Sequence, residues 1–352
     1  YQLHGLERRK IREASAGDII AFSGLDELNI SDTLCERDAP EALPALTVDE
    51  PTISMSFQVN KSPFAGKEGK YLTSRQIEDR LRQELKHNVA LRVENTADPD
   101  KFKVSGRGEL HLSVLIETMR REGYELAVSR PEVIVIEEDG VKKEPWETLT
   151  VDADEAYQGA IMSRLAERRG QLQSMSTDGR GRIRLDYRIP ARGLIGFRTE
   201  FLSATAGTGL LYHVFESYDV SVGELIGQRN NGALISNIAG KALAYALFNL
   251  QERGRLYIGH GEEVYEGMIV GMHSRDNDLV VNPTKAKQLT NVRAAGTDEN
   301  LLLTPPIRMS LEQALEFIDD DELVEVTPNS IRLRKKILAE GMRKRDSRLK
   351  AG

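Results

Sequence analysis

Residues 101–128 of the chain decide its fold, and they read KFKVSGRGELHLSVLIETMRREGYELAV. The stretch 101–105 has the alternation of a half-buried strand. Four apolar residues then follow at the i, i+3, i+4 and i+7 spacing of one helical face: Leu112, Leu115, Ile116 and Met119. Gly123 predicts the end of this helix, and 124–128 predicts another strand. The stretch therefore predicts a β, α, β succession in which an Arg-Gly doublet at 107–108 opens the helix.

The residues before this stretch complete a larger unit. Residues 52–59 alternate like a strand, 73–87 has the apolar spacing of a helix, and 89–94 predicts a further strand. The resulting order is βαββαβ. This is the order of a ferredoxin-like domain, in which two helices cover one face of a four-stranded antiparallel sheet.

The same order recurs further along the chain. A strand is predicted near 146–151, a helix at 155–169, and two further strands around 171–176 and at 183–187. A second Arg-Gly doublet, at 192–193, opens a helix in the place that the first doublet occupies in the first unit. The segment 133–144 has the character of a hairpin that joins the two copies. The sequence therefore predicts two similar modules in tandem.

The two flanks differ from these modules. Residues 1–47 predict short strands that are too few to close a sheet, so we expect the chain to begin inside a domain. The distal part predicts a third α+β unit, with a helix at 240–251. A further helix is predicted after Ser310, which forms a capping box with Gln313.

The composition excludes several classes of protein. The 352 residues, 40% hydrophobic and 29% charged, suffice for roughly two to four globular domains. The longest apolar run, 242–248, is far shorter than the ~20 residues of a membrane-spanning helix. Cys35 is the one cysteine, and the first residues have no secretory leader pattern. These observations predict a cytoplasmic protein that does not associate with membranes.

No catalytic or metal-binding motif is found in the sequence. A P-loop, HExxH, a CxxC pair and GxSxG are all absent. The segment 260–263, HGEE, is predicted to be a turn, and the acidic run 319–321 is predicted to be the solvated end of a helix. We therefore predict no catalytic residue, no metal and no cofactor in this chain.

The distribution of basic residues favours phosphate recognition instead. The net charge is −7, yet nine Lys or Arg residues lie within 331–350. The polar segment 282–300 is longer than most connections between secondary-structure elements. Its side chains carry hydrogen-bond donors that could follow an RNA groove. The candidate RNA-binding residues are Lys285, Lys287, Gln288, Asn291, Arg293, Arg229, Lys241, Arg275, Arg107, Arg192 and Arg198.

Several motifs together resemble one protein family. They are GELHL at 108–112, RGLIGFR at 192–198, NNG at 230–232, EVYEG at 263–267, HSR at 273–275, RAAGTDE at 293–299 and LEQALEFI at 311–318. In combination they are similar to the BipA/TypA family of translational GTPases, which is related to elongation factor G. The similarity covers nearly the whole chain and fades only in the last ~15 residues, as termini readily vary.

The resemblance implies an α+β multidomain fold and a C-terminal fragment. The GTPase domain, with its GTP and Mg, would precede this chain. The implied domains are the end of a β-barrel at 1–47, ferredoxin-like domains at 48–130 and 131–217, a family-specific mixed α+β domain at 218–337 and a disordered basic tail at 338–352.

The resemblance also implies a function. The chain would act as a monomer that binds the bacterial ribosome near the A site and contacts ribosomal RNA and the acceptor end of tRNA. It would support large-subunit assembly and adaptation to stress or low temperature. Lys285, Lys287 and Arg293 would be contacts of an extended loop.

Two other classes of function stay open from the residues alone. One is an enzyme that uses the region of His260 and the acidic run 319–321, which would show a thermal shift with a metal or small molecule. The other is a protein-binding scaffold without RNA binding, because βαββαβ modules also pair through open sheet edges. Salt dependence separates the scaffold from RNA binding.

Overall fold

The computed structural model describes residues 1–5, 7–25, 28, 30–44, 50–223, 229, 231–287 and 301–351. The chain forms two compact units, Tyr1–Val48 and Asp49–Gly352. Because the second unit is continuous in its contacts, the domain boundaries predicted within it stay predictions.

The first unit has little regular structure in its described part. Strand β1 (Gln2–His4) pairs antiparallel with β2 (Glu7–Arg9), and a single bridge joins Gln2 to Ile20. Ile19, within the region 1–47 for which short strands are predicted, is 83% exposed. The described residues of this unit form no closed barrel, because two short strands bury too little surface to close one.

The first module, residues 53–128, has the predicted βαββαβ order. Its elements are β3 (Ile53–Gln58), α1 (Ser74–Leu85), β4 (Arg92–Asn95), β5 (Lys101–Gly106), α2 (Glu109–Arg121) and β6 (Leu126–Val128). The strands lie antiparallel in the order β6-β3-β5-β4. Both predicted apolar helix faces are buried in one core, which contains Ile77, Leu81, Leu112, Leu115, Ile116 and Met119.

Two short strands lead from this module to the next: β7 (Glu132–Val133) and β8 (Ile136–Glu138). Strand β8 forms a hairpin with the following strand, β9 (Val141–Asp154), through Asp139 and Gly140. These two residues have φ of 53° and 76°. A two-residue hairpin turn of this kind needs positive φ at both positions, and Asp-Gly accepts it readily.

The second module, residues 141–220, repeats the order of the first. After β9 come a 3-10 turn (Glu155–Tyr157), α3 (Gln158–Glu167), β10 (Gln171–Thr177), β11 (Arg182–Pro190), α4 (Ala191–Leu194), α5 (Phe197–Ala204) and β12 (Leu210–Val220). The strands lie antiparallel in the order β10-β11-β9-β12. Gly196 breaks the second helix into α4 and α5 with a φ of 73°.

The C-terminal region, residues 231–351, is mixed α+β. It contains β13 (Ala233–Ser236), β14 (Gly240–Lys241), α6 (Ala244–Leu250), β15 (Gly254–Leu256), β16 (Glu263–Val264), β17 (Met268–His273), β18 (Leu279–Val281), α7 (Leu311–Phe317), β19 (Glu322–Val326), β20 (Ile331–Lys335) and α8 (Glu340–Ala351). The capping box predicted at Ser310 and Gln313 is present at the start of α7. The predicted α+β fold class is confirmed.

The sheets of the first module and the C-terminal region are continuous. Strand β19 pairs antiparallel with β6, so that Val324 lies opposite Val128. One sheet of 11 strands results, whereas the strands of the second module form a separate sheet. The first module and the C-terminal region therefore share a hydrophobic core, to which α7 contributes Leu311, Ala314 and Leu315.

The end of the chain differs from its prediction. Residues 340–351 form the helix α8, although a disordered tail is predicted there. An ion pair of Lys344 with Glu340, one turn apart, supports the helix, and the backbone N–H of Glu340 donates to the side chain of Glu266. No helix within the described residues has the length and hydropathy of a membrane span.

Candidate nucleic-acid interface

Three exposed lysines of the C-terminal region lie on two neighbouring segments of the chain: Lys241, Lys285 and Lys287. We call this set the lysine patch. The backbone N–H of Leu243, two residues after Lys241, donates to the carbonyl of Pro283, two residues before Lys285, at 2.9 Å. This bond brings the two segments side by side. The structure shows no ion pair of Lys285 or Lys287 with another described residue.

Local hydrogen bonds fix the segment that carries Lys285. The N–H of Asn237, just after β13, donates to the carbonyl of Val281 at the end of β18, at 3.0 Å. The side chain of Asn282 then accepts from both the N–H and the hydroxyl of Thr284, each at 2.9 Å. This Asx turn fixes the backbone at 282–284 and places Thr284 beside Gly240.

The other predicted residues of this segment are Gln288, Asn291 and Arg293, and all three lie outside the described residues. Arg275 is exposed but lies elsewhere on the C-terminal region. Its carbonyl accepts from the N–H of Gly232, which precedes β13, whereas Lys241 follows the other end of this strand. The structure therefore does not bring Arg275 together with the lysine patch.

Arg107 and Arg198 lie together on a different surface. Both are exposed, and both line a cleft of about 840 Å³ between the two modules and the helix α7. The apolar part of the lining includes Leu194, Phe197 and Leu211. These two guanidinium groups are accessible from solvent, but they belong to a site separate from the lysine patch.

Arg192 and Arg229 have partners inside the protein. Arg192 pairs with Glu144, whose side chain is fully buried. Arg229 donates to Glu322, which is also fully buried, at 2.8 Å and 3.0 Å, and its guanidinium lies 4.4 Å from the ring centroid of Phe317. Because each guanidinium neutralises a buried carboxylate, we remove both residues from the RNA-binding set.

Comparisons with known proteins give the family. Residues 231–340 match the model of the TypA/BipA C-terminal domain, and residues 141–229 match that of the elongation factor G C-terminus. Proteins named large ribosomal subunit assembly factor BipA are similar over 98% of this chain: that of Escherichia coli K12 is 66% identical, and that of Haemophilus influenzae is 63% identical. The chain belongs to the TypA/BipA family. It spans 57% and 56% of the length of these two relatives.

In this TypA/BipA chain, the acidic and basic runs near the C-terminus are partners across a strand pair. Glu322 lies opposite Lys335, and Glu325 lies opposite Arg332, in the pairing of β19 with β20. Lys335 donates to Glu322 and to Asp321, each at 2.9 Å. From the sequence alone we predicted a solvated acidic run at 319–321 and took the basic residues of 331–350 to favour phosphate recognition. The complementary signs of two segments separated by a single turn were the signal for this pairing.

The acidic run 319–321 is occupied by basic side chains of the protein itself. Arg130, which follows the first module, contacts Asp319 at 3.2 Å and Asp320 at 3.3 Å. Among the described residues, no group of His, Cys, Asp and Glu side chains has the arrangement of a metal site. These carboxylates therefore hold the C-terminal region against the first module.

The segment at His260 is also accounted for by contacts within the TypA/BipA fold. Gly261 has a φ of 83°, as a turn requires, and Glu262 accepts from the N–H of Gly259 at 2.9 Å. Burial raises the pKa of Glu262, but the hydrogen bonds from Arg308 and from the N–H of Gly259, together with the nearby positive charge of Arg308, outweigh burial and leave the pKa below its usual value. This arrangement stabilises a turn and provides no base.

Proposed function

We propose that this chain is the ribosome-binding part of a TypA/BipA-type factor that acts in the assembly of the large ribosomal subunit. The observation that carries the proposal is the 66% identity, over 98% of this chain, to a protein named for that role. The proposed setting is the cytoplasm of a bacterium.

The lysine patch supports a contact with ribosomal RNA. Lysine ammonium groups bind phosphates as point charges, and each neutralised phosphate releases condensed counterions. Lys285 and Lys287 belong to the polar segment 282–300, so lysines and polar side chains of this segment would act on the same RNA. We propose that this part of the C-terminal region contacts ribosomal RNA and the acceptor end of an A-site tRNA, with the protein acting as a monomer.

We assign no catalytic step to this chain. GTP binding and hydrolysis, with Mg, are proposed for a part of the longer protein beyond the residues present here. In this scheme the nucleotide would control when the factor binds, and the residues of this chain would provide the contacts with the ribosome.

The test is co-sedimentation of the chain with purified bacterial large subunits and whole ribosomes across a salt series. The variant is Lys241→Ala with Lys285→Ala and Lys287→Ala. Log affinity falls with log salt by about 0.7 to 0.9 for each phosphate contact, so we expect the slope to decrease by about 2 to 3 in the variant.

A matched control removes the same charge elsewhere. Lys10, Lys86 and Lys142 are exposed and lie outside the C-terminal region, so their triple change to Ala gives an equal change in net charge. We expect this control to retain the slope of the parent chain. Equal affinity and slope in the patch variant and the parent chain would refute the lysine patch as an RNA contact.

The second candidate is a protein-binding scaffold, and one surface favours it. Leu210, Tyr212 and Val214 alternate along β12 and are 62%, 49% and 56% exposed. An apolar row of this kind is typical of a protein contact. The same co-sedimentation assay separates the two candidates. The scaffold is supported over RNA binding if the affinity does not change with salt, if Tyr212→Ser weakens it, and if the lysine-patch variant leaves it unchanged.

A further inference from the structure

Strand β12 is an edge of the sheet of the second module, because its only neighbour in the strand order is β9. Along an edge strand, alternate N–H and carbonyl groups point away from the sheet. Within the part of the chain that the structure describes, residues 210–218 make no backbone-to-backbone hydrogen bond outside the pairing with β9. The outward backbone groups of this stretch are therefore open to a further strand.

The first residues of β12 lack the devices that usually protect an edge. Residues 210–215 read LLYHVF and contain no Lys, no Pro and no acidic residue. The bulge in the pairing with β9 comes after them, between Phe215 and Ser217. One face of the strand carries the exposed apolar row of Leu210, Tyr212 and Val214. An edge of this kind is a template for pairing with another chain.

The cleft that contains Arg107 and Arg198 borders the same edge. Its lining includes the residues of β12 that alternate with the apolar row: Leu211, His213 and Phe215. Arg198 also lines a second cavity, of about 320 Å³, together with Leu210 and Tyr212. This arginine therefore lies beside the first residues of β12.

The two arginines leave positive charge available in the cleft. Arg107 and Arg198 are exposed, and neither forms an ion pair with another described residue. The backbone N–H of Arg107 donates to Nδ1 of His111 at 3.3 Å, which fixes this loop at the border of the cleft.

The carboxylates around the cleft are mostly engaged within the protein. Three of the four that line it have partners: Glu147 pairs with His213, Glu109 accepts the N–H of Gly196 at 3.1 Å, and Glu50 lies 3.6 Å from Arg92. The fourth, Glu312, is half-buried in the first turn of α7, where the helix dipole stabilises its charge. At the second cavity, Arg184 pairs with Asp186 and Asp152 pairs with Arg182. The exposed charge without a partner is therefore positive.

We propose that the edge of β12 and the adjoining cleft bind an extended segment of a partner protein in which apolar and acidic residues alternate. The segment adds a strand to β12 and pairs with its open backbone groups. Successive side chains of the added strand point to opposite faces of the sheet. Apolar side chains pack against Leu210, Tyr212 and Val214, and carboxylates on the other face pair with Arg107 and Arg198. This protein contact goes beyond the proposed RNA contact and does not depend on the lysine patch.

The first test measures the charge preference of the groove. The probe is a pool of fluorescein-labelled nine-residue peptides in which Val, Ile, Leu or Tyr alternates with Glu, and its binding to the full chain is followed by fluorescence anisotropy. Matched pools carry Gln or Lys in place of Glu. Because charge-assisted hydrogen bonds are lost, we expect the Gln pool to bind about tenfold more weakly and the Lys pool more weakly still.

Variants of the protein locate the contact. Arg198→Ala should weaken binding of the Glu pool about tenfold. Arg75→Ala removes the same charge from a side chain of α1 that is 91% exposed, and it should bind as the parent chain does. The lysine-patch variant should also bind the peptides unchanged, so failure of the RNA contact and failure of the peptide contact are distinguishable.

Strand addition has a signature of its own. Alternate N–H groups of an added strand face its neighbour, so N-methylation of the Glu residues alone and of the apolar residues alone should differ: one set should abolish binding and the other retain it. Hydrogen exchange of the full chain should slow at amides of 210–215 when the Glu pool is bound. The internal control is β10, whose seven residues are all exposed at the opposite edge of the sheet and whose exchange should stay unchanged.

Four results would overturn the proposal. The first is no binding by any pool, and the second is equal binding by the Glu and Lys pools. The third is binding that leaves exchange at 210–215 unchanged or that both N-methylated pools retain, since the peptides would then dock elsewhere or without strand pairing. The fourth is a dimer of the free chain in sedimentation velocity with these amides already protected, which would assign the edge to a second copy of the chain.

Discussion

Replacing Arg192 by alanine tests whether this residue stabilises the fold or binds RNA. Its side chain is 13% exposed and pairs with Glu144, which is fully buried on β9. The other oxygen of Glu144 accepts the N–H of Val222 at 2.7 Å. Without Arg192, the buried carboxylate of Glu144 keeps only one of these donors, the backbone N–H of Val222.

The expected loss of stability is large. Removing one partner of a buried ion pair costs about 3 to 5 kcal/mol, because the other charge stays buried and uncompensated. With a urea m-value of about 2 kcal/mol/M, a loss near 4 kcal/mol lowers the unfolding midpoint by about 2 M. The double change Glu144→Gln with Arg192→Met should recover most of this loss, because no buried charge is left.

The chain contains its own reporter for this experiment. Trp146 is the single tryptophan, is 4% exposed and lies on β9 two residues after Glu144. Its fluorescence during urea unfolding therefore follows the second module. Arg198→Ala is the matched control: this arginine is exposed in the same helix pair, and we expect a change within about 0.5 kcal/mol.

One result would refute this reasoning. If Arg192→Ala unfolds at the same urea concentration as the parent chain but sediments less with ribosomes, the buried pair contributes nothing to stability. Arg192 would then return to the set of RNA-binding residues.

Three further predictions concern the C-terminal region. Ser310→Ala removes the cap of α7 and should cost about 1 kcal/mol in urea unfolding, with Ser310→Asp as a control that retains a capping oxygen. A methyl group at Gly254 would overlap the carbonyl oxygen of Met272, so Gly254→Ala should lower the free energy of unfolding by about 1 to 3 kcal/mol, and an unchanged thermal midpoint would contradict this. Folding raises the pKa of Glu316 from 4.5 to about 7. The parent chain should therefore lose about 1 to 2 kcal/mol of stability relative to Glu316→Gln as the pH rises between these values, after allowance for partial exposure. Parallel stability curves of the two proteins from pH 4 to 8 would contradict this prediction.

Local patterns in the sequence predicted the two modules well. Apolar spacing placed the buried faces of α1 and α2, and the turn residues Asp139 and Gly140 mark the hairpin between the copies. These signals are local, because a helix face or a two-residue turn is defined by neighbours in the sequence. The capping box at Ser310 was predictable for the same reason.

Long-range pairing was not predictable in this way. The pairing of β6 with β19 joins segments almost two hundred residues apart, and neither segment carries a mark of its partner. The basic residues of the candidate interface can be listed from the sequence. The sequence does not show, however, that Arg192 and Arg229 are paired inside the protein whereas Lys285 is exposed. Their buried partners, Glu144 and Glu322, distinguish them in the structure.

The pairing of β6 with β19 has a consequence for any attempt to express part of this chain. Residues 231–340 match a family model as a domain, yet all five residues of β19 are buried, as are all three of β6. The distal region expressed by itself would leave β19 without its neighbour β6, and an unpaired strand edge recruits strands from other molecules. We expect such a truncated protein to self-associate or precipitate. The piece suited to recombinant work therefore includes the first module as well.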